Sequence, residues 1–246
     1  YERSGGAFDV TVGPAVRQWR RARRDRKMPT VENLARARAL TSSDFLTLDP
    51  ESRSVRLEKP GMKLDLGGIA KGWASDEALK VLKRHGIESA LVAGAGDVVV
   101  GGPPPGKDGW VVGVAPLENP DATPERYFSL RDVAISTSGD AERFVEIEGK
   151  RYSHIVDPRT ALGVINRASV TIISREGATS DALATAVYAL GPEKGLALVE
   201  ETPGASCLIV QKNDAGVTVL ESSRLKDVPV ADPLDRLEPA ARLSPR

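Results

Sequence analysis

The chain has 246 residues, 41% hydrophobic and 28% charged, with 34 basic against 34 acidic side chains. This is globular composition, long enough for one large domain or two small ones, and its balanced charge gives no pull toward a polyanion. Aromatics at 4% argue against a nucleic-acid surface built from stacking platforms, no apolar run approaches the ~18 residues of a membrane span, and the single Cys207 excludes an intrachain disulfide or a cysteine metal cluster. The opening "YERSGGAFDV" has no initiator Met and no signal peptide, so a fragment or processed form is expected and targeting is not legible. "VGPAVRQWRRARRDRK" predicts a helix with Pro14 in its first turn. Its seven Lys or Arg between Arg17 and Lys27 are expected to form a solvated face. "TVENLARARAL" predicts a short helix capped by Thr30.

"SVRLEKPGMKLDLGGIAKGWASDEALKVLKRHG" reads as strand, Gly-rich turn and helix. Ile69, Trp73, Ala78 and Leu82 supply its approximate apolar periodicity, His85 its C-terminal cap and Gly86 its terminator. "ESALVAGAGDVVVGG" is expected to be one buried strand, and "WVVGVAP" and "VAISTSG" two more. "RFVEIEGKRYSHIVDP" predicts a hairpin turning at Glu148-Gly149-Lys150, and "ASVTIIS" a strand leading into the helix "EGATSDALATAVYALG", with Thr179 as N-cap. A helix over "PEKGLALVEE" and strands over "ASCLIVQK", where Cys207 reads as a buried structural thiol, and "GVTVLES" close the pattern. The mixture lacks strict strand–helix alternation and predicts a single α+β (mixed α/β) unit over residues 1–230, followed by a polar tail over 231–246.

Four places concentrate polar residues. Asp9 lies among apolar neighbours, equally suited to a turn and to a ligand contact. Gly67-Gly68 precedes a helix with Lys71 in its first turn, where unsatisfied N–H groups and the dipole favour phosphate, although such turns are common and neither P-loop nor G-x-G-x-x-G spacing is present. Ser138-Gly139-Asp140 forms a turn, and His154 ends a hairpin strand as either a base or a hydrogen-bonded core residue. Asp181 and Thr185, four apart on one helix face, either hold a hard cation or serve the helix itself through the dipole and back-bonding. By themselves these features imply a phosphate-bearing ligand, a divalent metal and a histidine base.

The stretches "GGAFDVTVGP", "KLDLGGIAKGWASD", "STSGDAERF", "YSHIVDPRT" and "SVTIISREGATSDALATAVYALG", in this order from Gly5 to Gly191, resemble the ApbE-type FAD:protein FMN transferases. The resemblance implies Mg²⁺-dependent transfer of FMN from FAD to a Thr or Ser of an acceptor flavoprotein carrying a flavinylation motif, with release of AMP. It implies metal ligation by Asp181, Thr185 and the Gly68 carbonyl. Flavin-nucleotide contacts are implied at Ala7, Phe8, Asp9, Asp65, Lys71, Ser138, Gly139, Asp140, His154 and Ile155, and catalytic roles for His154, as the base, and for Asp181. Water in place of the acceptor would make the chain an FAD pyrophosphatase, and loss of chemistry a flavin-binding module. The family pattern also implies a periplasmic or extracytoplasmic, membrane-attached protein, with an anchor and adenine contacts in an N-terminal stretch lacking here. Two positions depart from that pattern: Ala95-Gly96-Asp97 stands where Gly-Gly-Asp is usual, and Ala161 where Gly is usual. "REGATS" is similar to an acceptor motif but lacks its leading Asp, and reads as a helix cap.

Overall fold

The structure is a computed structural model and describes residues 1–119, 122–140 and 143–232. Among these the chain runs through α1 (Gly13–Asp25), α2 (Val31–Ala39), β1 (Leu46–Asp49), β2 (Ser54–Leu57), α3 (Ala70–Arg84), β3 (Leu91–Gly94), β4 (Asp97–Val100), β5 (Trp110–Val114), β6 (Arg126–Leu130), β7 (Val133–Gly139), β8 (Phe144–Ile147), β9 (Lys150–Ser153), β10 (Val156–Asp157), β11 (Leu162–Gly163), β12 (Arg167–Ser174), α4 (Gly177–Leu190), α5 (Pro192–Glu200), β13 (Ser206–Asn213) and β14 (Gly216–Glu221). Six strands form one antiparallel sheet in the order β14-β13-β12-β7-β4-β3. This is the α+β class expected from the sequence. No described helix is long and apolar enough to cross a membrane. Of the expected C-terminal tail, residues 233–246 lie outside the described residues, while Ala231 is tied by its N–H to the Tyr127 carbonyl.

The alternation of β12 builds two cores. Val170 and Ile172 face α4 and α5 with Leu183, Val187 and Val199, and Cys207 lies here fully buried, its thiol pushed up to about 12 by burial. Ile173 points to the other face, with Phe128, Leu130 and Ile135. A third cluster joins α1 and α2 to the β8–β9 hairpin through Trp19, Ala22, Ala37, Val145 and Ile147. Thr30 caps α2 by accepting the Asn33 N–H, and Pro14 sits in the first turn of α1, both as expected.

Three expectations are corrected. "ESALVAGAGDVVVGG" is a hairpin, not one strand: Ala95 and Gly96 both have positive φ (48° and 96°), which turns β3 back onto β4 within two residues. Trp73 does not belong to the buried face of α3; it is 58% exposed, and Gly72, Ser75 and Leu79 are buried instead. Thr179 does not cap α4. That helix starts at Gly177, and Asp76 of α3 accepts the Gly177 and Ala178 N–H groups at 2.7 and 3.0 Å.

Both departures from the family pattern occupy left-handed backbone, Ala95 at φ 48° and Ala161 at φ 60°. Those are positions where glycine is least strained.

Candidate active site

A cleft of about 590 Å³ opens between the α1 cluster and the helical face of the sheet, within the range of small-ligand sites. Its walls include Ala7, Phe8 and Asp9 from the N-terminal segment, Asp65, Gly67, Gly68 and Lys71 from the turn into α3, Ser138 and Gly139 from the end of β7, His154 and Ile155 after β9, and Thr185 of α4. Most residues singled out from the sequence therefore meet here. Asp140 does not: its carboxylate is buried on Arg151, whose Nε donates to Oδ2 at 2.6 Å, while Oδ1 has no partner among the described residues. Asp181 is also absent from the walls and lies behind Lys71.

The close approach of α3 and α4 creates that pairing. Gly72 and Gly177 face each other at the crossing, so closely that a Cβ on Gly72 would lie 1.9 Å from the Gly177 carbonyl oxygen. With the helices this near, Lys71 Nζ donates to both Asp181 oxygens at 2.9 and 3.1 Å and to the Gly67 carbonyl at 3.1 Å. The Gly72 N–H adds a bond to Asp181 at 3.2 Å. Asp97, at the start of β4, stands 3.2 Å from the same ammonium and accepts from Ser136, which is bonded in turn to Ser180.

Burial disfavours the Lys71 ammonium, but the hydrogen bond and charge of Asp181, with Asp97 behind, outweigh it and raise its pKa. Asp97 is raised first by burial and then by the Asp181 charge, against the opposing pull of Ser136 and Lys71. Two buried carboxylates thus share one ammonium. Sequence reasoning assigned Asp97 no role, although a lone carboxylate opening "DVVV" directly after a tight turn marked it.

The remaining side chains divide by how free they are. Asp9 is fully engaged by the protein. Its Oδ1 accepts from the Thr11 N–H, the Thr11 hydroxyl and the Ser43 hydroxyl, and its Oδ2 from the Ser43 N–H, all at 2.7 to 2.9 Å. Asp65 fixes the Gly-Gly turn by accepting the Gly67 N–H at 3.0 Å and holds Arg20 at 2.8 Å. Thr185 keeps a nearly free hydroxyl, 3.4 Å from Ser138 Oγ. A Cβ on Gly68 would come within 3.0 Å of Thr185 Oγ1, so only glycine brings that main chain so close.

The His154 ring is accessible from the cleft. Its Nδ1 lies 3.1 Å from the Arg143 carbonyl, which selects the tautomer with Nδ1–H as donor and leaves Nε2 as the acceptor. The surrounding walls lower its pKa by desolvation, the Arg143 carbonyl opposes this, and the charges of Arg143, Arg23 and Lys71 lower it further. The ring is held in the form that takes a proton.

Among the described residues no three His, Cys, Asp or Glu side chains group as metal ligands. The donors present, the Asp181 carboxylate, the Thr185 hydroxyl and the main chain at Gly68, are hard oxygens. An ion held there would take its remaining ligands from water and phosphate, which suits Mg²⁺. The two carboxylates with one ammonium leave negative charge for it to neutralise.

The ApbE family model matches residues 1–209. The FAD:protein FMN transferase of Vibrio cholerae is 36% identical over 227 residues, covering 90% of this chain and 66% of that protein. The FAD:protein FMN transferase of Klebsiella pneumoniae is 34% identical over 211 residues, covering 84% and 64%. The chain thus spans slightly less than two thirds of either relative. The solved structure of the flavin transferase ApbE from Vibrio cholerae superposes with a TM-score of 0.81 at 33% identity, covering 92% of this chain and 72% of that one.

Proposed function

Because the chain belongs to the ApbE family, we propose that it transfers the FMN half of FAD onto a Thr or Ser hydroxyl of an acceptor protein, releasing AMP. The observation that carries this reading is the His154 ring, tautomer-fixed by the Arg143 carbonyl and opening on the same cleft as Lys71 and the Gly67-Gly68 turn. The acceptor oxygen forms a bond to the FMN phosphorus, and the bond from that phosphorus to the bridging oxygen breaks, so AMP leaves with its phosphate. The acceptor's proton passes to His154 Nε2. The glycine turn lets the main chain at Gly68 approach the pyrophosphate, and Lys71 offers it positive charge. Asp181, Thr185 and the Gly68 carbonyl would hold Mg²⁺, which when bound neutralises phosphate charge.

Incubating the purified chain with FAD, MgCl₂ and a threonine-bearing acceptor peptide tests this. AMP and a fluorescent flavinyl peptide are expected in equal amounts, and His154→Ala should slow their appearance by about 10²- to 10⁴-fold. Steady AMP and free FMN without labelled peptide would assign water as the acceptor. FAD binding with no product of either kind would overturn the reading.

A further inference from the structure

On the far side of α1 from the cleft lies a second cavity, of about 650 Å³, between α1 and α2. Six cations line it (Arg17, Arg20, Arg21, Arg24, Arg36 and Lys63) and no carboxylate does. In a chain with 34 basic and 34 acidic side chains, this is a strong local excess. Neutralisation is partial. Asp25 serves both Arg21 and Arg24, and Asp65 serves Arg20, whereas Arg17, Arg36 and Lys63 have no ion pair among the described residues. Pro14, Ala37, Leu40 and Gly61 give the recess a small apolar floor.

We infer that this groove docks an acidic segment of the acceptor protein, an inference that rests on the transferase reading above. Five of the six cations are arginines, whose planar forks match carboxylates in pairs. The recess is concave, so it admits a chain segment rather than a flat lipid surface, and it presents no aromatic side chain on which a nucleobase could stack. Continuity with the cleft identifies the acceptor as the source. Arg20 lines both cavities, and its partner Asp65 holds the Gly67 N–H of the turn at the cleft. Only the width of one helix, roughly 10 Å, separates them. An extended peptide crosses that in about three residues at ~3.3 Å each, so an acceptor seated in the cleft has the reach to cross α1 into the groove.

The test measures binding apart from catalysis. Fluorescein-labelled octaglutamate and octaglutamine peptides are titrated by anisotropy onto the chain and onto the doubly substituted R17E/R36E variant, with FAD binding followed separately by flavin fluorescence. Both arginines are exposed, so the variant should fold and bind FAD. The octaglutamate peptide should bind and octaglutamine should not. The variant should bind octaglutamate about tenfold or more weakly, and 0.5 M NaCl should weaken binding to the parent chain. In the transfer assay the variant should raise the KM of a threonine peptide carrying a glutamate tract and leave kcat in place. Equal octaglutamate affinity in parent and variant, or none in either, overturns the proposal. So does arginine-dependent capture of phosphatidylglycerol vesicles or RNA without octaglutamate binding. Octaglutamate binding without flavin transfer would sink the transferase reading and the assignment to an acceptor while leaving the acid-binding groove; transfer with a KM indifferent to R17E/R36E would leave the transferase reading and overturn the docking of the acceptor in the groove.

Discussion

Gly72→Ala adds one methyl group at the point where α3 and α4 touch. Its Cβ would stand 1.9 Å from the Gly177 oxygen, 2.3 Å from the Gly177 carbonyl carbon and 2.9 Å from the Ala178 nitrogen. All three are main-chain atoms, so no side-chain rotation relieves the clash. Reaching ordinary contact at 3.4 Å requires the helices to separate by 3.4 − 1.9 = about 1.5 Å. Overpacking of this kind costs about 1–3 kcal/mol, and a main-chain obstacle places the cost at the upper end. At ~2–4 °C per kcal/mol for a chain of this size, the melting temperature should fall by about 6–12 °C. The same displacement stretches the Gly72 N–H bond to Asp181 and the Asp76 caps on Gly177 and Ala178, so affinity for FAD should fall as well. Thermal melts by circular dichroism and flavin titration measure both. A variant that melts within 1 °C of the parent and binds FAD equally well would show that the glycine crossing does not assemble the site.

Asp181→Ala should remain folded at 25 °C by circular dichroism and lose the proposed Mg²⁺-dependent turnover by about a hundredfold; surviving turnover would remove Asp181 from the proposed metal ligands. The depressed pKa of His154 places the acid limb of kcat/KM below pH 6.5, its ordinary value, and a limb at or above 6.5 would contradict the desolvated ring. The sign for stability agrees: the unfolded chain holds this proton where the folded chain does not. The group's contribution is therefore complete above 6.5 and is lost as pH falls through the lower folded value; His154→Gln should flatten that part of a urea-midpoint against pH curve. Ala95 is exposed and left-handed at φ 48°, so Ala95→Gly should raise stability by about 0.5–1 kcal/mol; a lower urea midpoint would refute the strain argument.

What could be read from the sequence was local. Thr30 and Pro14 mark helix starts through their own chemistry, the turn at Glu148-Gly149 brings β8 onto β9 as expected, and the period of two along β12 separates Ile172 from Ile173 onto opposite faces. The errors arose where the deciding contact is distant. Thr179 is a reasonable cap by residue type, but the helix is capped by Asp76, 101 residues upstream. Trp73 looks like core by hydrophobicity, yet α3 turns its small residues inward because it must lie close to α4. Asp9 was equally compatible with a turn and with a ligand contact; four protein donors hold its carboxylate in a turn at the wall of the cleft.

Asp181 and Thr185 show how a correct local reading can stop short. Their spacing places both on one helix face, and Thr185 does open on the cleft, but the Asp181 carboxylate is buried against a lysine 110 residues away. The residue that sends it there is Gly177, because any side chain at that position would meet the Gly72 carbonyl at 2.5 Å and Val99 at 2.7 Å. Separating the helices would leave Lys71 nearer solvent and Asp181 buried without its cation, a costly arrangement for a carboxylate. The close crossing, the Lys71 ion pair and the position of Asp97 are therefore one constraint. Asp97 completes it from the neighbouring strand as the second carboxylate on a single ammonium, its pKa raised first by burial and then by the Asp181 charge. In the proposed reaction Asp181 would hold a cation whose charge would offset that shortage, beside a Lys71 that already lines the cleft.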